Sequence, residues 1–71
     1  MKSYVAVVRA DSGHILLGGV RKTRSSRLET EEMADTLGQI NVGINEEADR
    51  PCSYWVETVD GRPEIMADEI A

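Results

Sequence analysis

The stretch Thr30 to Ala48, TEEMADTLGQINVGINEEA, decides how the rest of the chain is read. Met33, Leu37, Ile40 and Ile44 recur within it at the three- and four-residue spacings of one helical face. A stripe of that kind needs a surface to lie on. The segments on either side, rich in Val, Ile, Leu and Tyr, read as strands that supply one. Burying each of the four stripe residues would contribute on the order of 1.5 to 3 kcal/mol, so a large share of the stability is expected to rest on them.

Two helix starts compete. Ser26-Arg27-Leu28-Glu29 fits a capping box, whereas Thr30 followed by Glu31 and Glu32 is an N-cap with acids at the positive helix end. Leu28 falls on the far side of the stripe, which favours Thr30. Gly38 and Gly43 weaken the helix, and Asn41-Val42-Gly43 is an alternative early end. The stripe nonetheless runs on past Ile44, so one helix to about residue 47 is the better reading.

Upstream, SYVAVVRADSGHILLGGVRK (3–22) gives two apolar runs around Asp11-Ser12-Gly13, a β-hairpin by its turn chemistry. Pairing Ala10 with His14 puts Tyr4, Ala6 and Val8 on one face with Leu16 and Val20, and Val5 and Val7 on the other with Ile15 and Leu17. Both faces are apolar and one helix covers only one. A homodimer is therefore expected, formed over the second face.

Downstream, Asp49-Arg50-Pro51 closes the helix and CSYWVETV (52–59) is a strand, with Cys52, Tyr54 and Val56 on one face. Asp60-Gly61 signals a hairpin that returns Arg62 to Met66 as a short edge strand; alternatively Pro63 opens a helical turn. The strand would set Glu57 against Glu64, an unfavourable like-charge contact. The fold expected is α+β: a small antiparallel sheet, β-β-α-β with or without that fourth short edge strand, packed against one helix. Residues 1–66 form a single domain and 67–71 a frayed acidic tail.

At 71 residues there is room for one domain, and a domain this small buries only about 60% of its unfolded surface. Hydrophobic residues at 41% and charged residues at 30% place it in the globular class. The single cysteine, Cys52, excludes an internal disulfide and reads as a small buried hydrophobe. With no signal-peptide pattern and no apolar stretch of about 20 residues, the chain is expected to be intracellular, cytoplasmic and free of the membrane.

The net charge of −5 is unevenly divided. Residues 1–28 hold six Lys/Arg against one acid, +5, and residues 29–71 hold two against twelve, −10. Such asymmetry steers charged partners.

No residue constellation demands a particular chemistry. His14 is the one histidine and cannot build a metal site alone, and no carboxylate loop has calcium-binding spacing. Ser12 and His14 share a tight turn that supplies neither an orienting acid nor a donor pocket. Gly18-Gly19 lacks phosphate-loop spacing and reads as a bulge or a close approach. No catalytic residue, cofactor or metal is expected.

The function expected is that of a small non-catalytic interaction or regulatory protein, binding a protein partner through the acidic helix face Glu31, Glu32, Asp35, Glu46 and Glu47. In size and acidity the chain resembles phage or mobile-element accessory proteins. That resemblance implies binding and inhibition of a host protein. The alternative is nucleic-acid binding through RKTRSSR (21–27), with Arg21, Lys22, Arg24 and Arg27 on phosphates. The acidic total argues against it.

Overall fold

The computed structural model describes residues 1–17 and 27–64. The element order is β1 (Lys2–Ala10), β2 (Ile15–Leu17), α1 (Glu31–Glu47) and β3 (Cys52–Asp60). The strands form one antiparallel sheet in the order β2-β1-β3, and α1 packs across β1 and β3, an α+β arrangement. The central strand holds most of the core: Val5, Ala6, Val7 and Val8 are all buried.

The hairpin turn forms as its residues dictate. Ala10 N–H donates to the His14 carbonyl at 2.9 Å, and Gly13 takes φ +100°. Arg9 pairs with Ile15, but Val8 pairs with Leu17, so the register slips by one residue. This β-bulge leaves Leu16 as the extra residue and moves Leu17 from the Val5/Val7 face to the Val8 face. Gly18, Gly19 and Val20 lie outside the described residues.

Thr30 is the N-cap of α1, its Oγ1 accepting from Met33 N–H at 3.2 Å, and Glu31 and Glu32 sit in the first turn. At the other end Asp49 adopts φ +60° and donates to the Glu46 carbonyl, while Arg50 N–H donates to Asn45. That pair of bonds is the Schellman closure, with an aspartate where glycine is usual. Arg50 Nε adds a bond to Asn45 Oδ1 at 2.9 Å, and Pro51 prevents continuation.

The face by which α1 docks differs from the expected stripe. Its buried residues are Ala34 and Gly38, while Ile40 and Ile44 are 53% and 55% exposed. The two patterns are offset by one position, about 100° of rotation. The reason is Tyr54, whose ring lies against Gly38: a Cβ there would come within 2.9 Å of the ring's Cγ. A notch of small residues admits the aromatic ring, whereas the bulky stripe would hold the helix off the sheet.

The tail of the described chain also departs from expectation. After β3, Gly61 N–H donates to the Met1 carbonyl and Glu64 N–H to the Arg27 carbonyl at 2.7 Å, so 61–64 crosses the start of β1 instead of returning along β3. Arg27 Nε pairs with Glu64 Oε1 at 3.1 Å, which replaces the Glu57–Glu64 repulsion of the expected hairpin with an attraction. Leu28, next to Arg27, bridges to Tyr4 and is buried. Residues 65–71, including the end of the expected strand and the acidic tail, lie outside the described residues.

Both faces of β1 are closed within the chain: Ala6 and Val8 on the side of α1, and Ser3, Val5 and Val7 on the other. The open sheet face on which a dimer was expected to form is therefore absent at β1.

Candidate functional site

The flanks of α1 are distinguished by what they touch. Tyr54 Oη donates to Asp35 Oδ1 at 2.7 Å, and the Cys52 thiol lies 4.0 Å from the Val42 carbonyl, so Asp35 and Val42 stand on the β3 flank. Half a turn around the helix from them, at about 100° per residue, stand Met33, Leu37, Ile40 and Ile44. With Ala34 and Gly38 facing the sheet, that opposite flank overlooks β1 and β2. Met33 and Leu37 are half-buried there, as are Leu16 and Leu17 of the hairpin, while Ile40 and Ile44 emerge into solvent.

The spacing of these four residues, four-three-four, is a strict heptad seam, narrower than the broad stripe by which a surface helix usually meets its own core. One helix thus carries two parallel seams. The small-residue seam binds α1 to its sheet, and the Met/Leu/Ile seam runs beside it, half-buried at Met33 and Leu37 and exposed at Ile40 and Ile44.

The expected acidic site is divided by the structure. Glu31, Glu32, Glu46 and Glu47 are exposed, and α1 contains no Lys or Arg. Asp35 is half-buried and held inside the molecule: it accepts from Tyr54 on one oxygen and from Gln39 Nε2 on the other at 2.8 Å. The bond to Asp35 holds the Tyr54 proton, raising that hydroxyl above its ordinary pKa. On the helix surface Glu32 and Glu47 lie on the solvent side of the apolar seam, with the small residues Thr36 and Gly43 between them. Composition revealed the carboxylates. The seam was visible as well, but its periodicity pointed equally to a core.

Of the expected basic site, Arg21, Lys22 and Arg24 lie outside the described residues, and Arg27 is engaged with Glu64. An open cleft of about 420 Å³ lies between the hairpin turn and the end of α1, lined by residues that include Ser12, His14, Asp11 and Asp49. Among the described residues, no side-chain hydrogen bond joins Ser12 to His14 or His14 to a carboxylate, and no three His, Cys, Asp or Glu side chains cluster as a metal site. Burial pushes the Cys52 thiol up, with Glu46 and Asp11 adding to the effect, so it is a poor nucleophile at neutral pH. Among the described residues no helix is long and apolar enough to cross a membrane.

No protein-family model, no curated protein and no solved structure matches this chain.

Proposed function

We propose that this protein is a non-catalytic binding module that docks a partner protein against the outer flank of α1 and acts by covering a surface of that partner. One observation carries the reading: Ile40 and Ile44, in register with Met33 and Leu37, are more than half exposed on a well-capped helix. Aligned aliphatic side chains left in water cost free energy that a docked surface would recover. The exposed carboxylates Glu31, Glu32, Glu46 and Glu47 give the same helix a single-signed field, which favours a partner with basic groups. A module of this kind would inhibit by occupancy.

The test compares tagged wild-type protein with an Ile40→Asp/Ile44→Asp variant in capture from an extract of the source cells, with circular dichroism confirming that both are folded. A partner retained by wild type and by Asn45→Ala but lost from the seam variant supports the reading. An identical set of captured proteins from both would refute it.

A further inference from the structure

We infer that the occupant of the α1 seam is an amphipathic helix of a partner protein, with basic side chains on the edge of its apolar stripe. This rests on the seam being the binding face. The four-three-four spacing of Met33, Leu37, Ile40 and Ile44 is that of the a and d positions of a coiled-coil seam, which the a and d side chains of another helix match. Thr36 and Gly43, beside the seam, are small, and nothing lies within 4 Å of where a Cβ on Gly43 would sit. A second helix backbone can therefore approach there. Leu17, half-buried, lies on the α1 side of the sheet by its pairing with Val8.

Charge selects between possible helices. Glu32 and Glu47 mark the two ends of the seam's solvent side, about 22 Å apart along the axis at 1.5 Å per residue. Basic residues four turns apart on the incoming helix would meet both. A second copy of α1 would instead bring Glu32 and Glu47 against the same two acids in either orientation, with no cation on α1 to offset them. A basic partner helix is the occupant that satisfies both the spacing and the charge.

The probe is a synthetic 18-residue helical peptide with Leu at a and d positions and Lys at flanking positions near both ends, labelled for fluorescence anisotropy. A control peptide carries Glu in place of each Lys. The inference expects saturable binding of the Lys peptide, at least tenfold tighter than the Glu peptide. It expects that binding to weaken at least tenfold in Ile40→Asp and several-fold in Glu32→Gln/Glu47→Gln or when salt is raised from 50 to 500 mM. Equal binding of the two peptides, or Lys-peptide binding untouched by Ile40→Asp, would overturn it. If neither peptide binds while sedimentation shows a wild-type dimer that Ile40→Asp dissociates, the basic helix is overturned in favour of a second copy and the seam survives as an interface. If peptide binding and self-association are both indifferent to Ile40→Asp, the binding face itself is refuted.

Discussion

Gly38 and Gly43 lie on the same helix five residues apart, and the same substitution at each is expected to have opposite signs. Alanine in place of an interior helical glycine gains about 0.8–1 kcal/mol in propensity. At Gly43 nothing lies within 4 Å of the new Cβ, so the gain is kept and Gly43→Ala is stabilising. At Gly38 the new Cβ would sit 2.8 Å from Cε2 and 2.9 Å from Cγ of Tyr54, well inside ordinary van der Waals contact. The ring cannot simply swing away, because its hydroxyl is bonded to Asp35 at 2.7 Å. Overpacking of this sort costs about 1–3 kcal/mol, so after the propensity gain a net loss of up to about 2 kcal/mol remains. For a domain of this size each kcal/mol moves the melting temperature by about 4–8 °C, so the overpacking cost that separates the two variants corresponds to about 4–24 °C. Urea unfolding followed by the fluorescence of Trp55, on the sheet face away from α1, measures both. In a Tyr54→Ala background the Gly38→Ala penalty should vanish, a coupling of about 2 kcal/mol. Gly38→Ala as stabilising as Gly43→Ala would refute the seating of α1 on Tyr54.

Leu28→Ala should cost about 2–5 kcal/mol because the side chain is buried, whereas Ile44→Ala should cost under about 1 kcal/mol, a contrast readable by chemical denaturation. Ser3 Oγ is buried without a hydrogen-bond partner among the described residues, so Ser3→Ala is expected to be neutral or stabilising by up to about 1 kcal/mol; a large loss in the same assay would reveal a partner for that hydroxyl. The Tyr54 hydroxyl, raised by its bond to Asp35, holds its proton more tightly folded than unfolded. Its contribution to stability is thus present below the ordinary tyrosine value of 10.0 and is lost as pH rises past it through the raised folded value. Tyr54→Phe should abolish that alkaline decline and remove the late-titrating component of tyrosinate absorbance.

The extent of α1 and its cap at Thr30 could be read from the sequence because they depend on local chemistry: a hydroxyl, two acids, and a proline beyond the end. The docking face could not. Hydrophobic periodicity weights large side chains, so Met33, Leu37, Ile40 and Ile44 outvoted Ala34 and Gly38, although Tyr54 supplies the bulk of the contact from the strand side. The bulge at Leu16 was hidden for a related reason: Ile15, Leu16 and Leu17 are all apolar, so no alternation marks which of them is the extra residue. The reversal at Gly61 carried the right turn residues but the wrong destination. The ion pair between Arg27 and Glu64 that guides it joins residues far apart in the chain. Of the acidic site, the exposed glutamates were legible, whereas the inward commitment of Asp35 depended on a tyrosine 19 residues away.

The pairing of β1 with β3 also sets when this chain can acquire its structure. The central strand is made first, but its longest partner, Cys52–Asp60, comes almost at the end of the described chain, and Met1 is itself held by Gly61. The apolar run Val5 to Val8 therefore has no finished sheet to enter while the helix is being synthesised. α1 and β3, joined by a short turn, can associate locally, and β1 must then close onto them across most of the chain length. Closure at such separation is slow relative to local helix formation. During that interval Val5 to Val8 form an exposed β-prone segment, so the risk of aggregation is greatest before β3 emerges and disappears once it has paired.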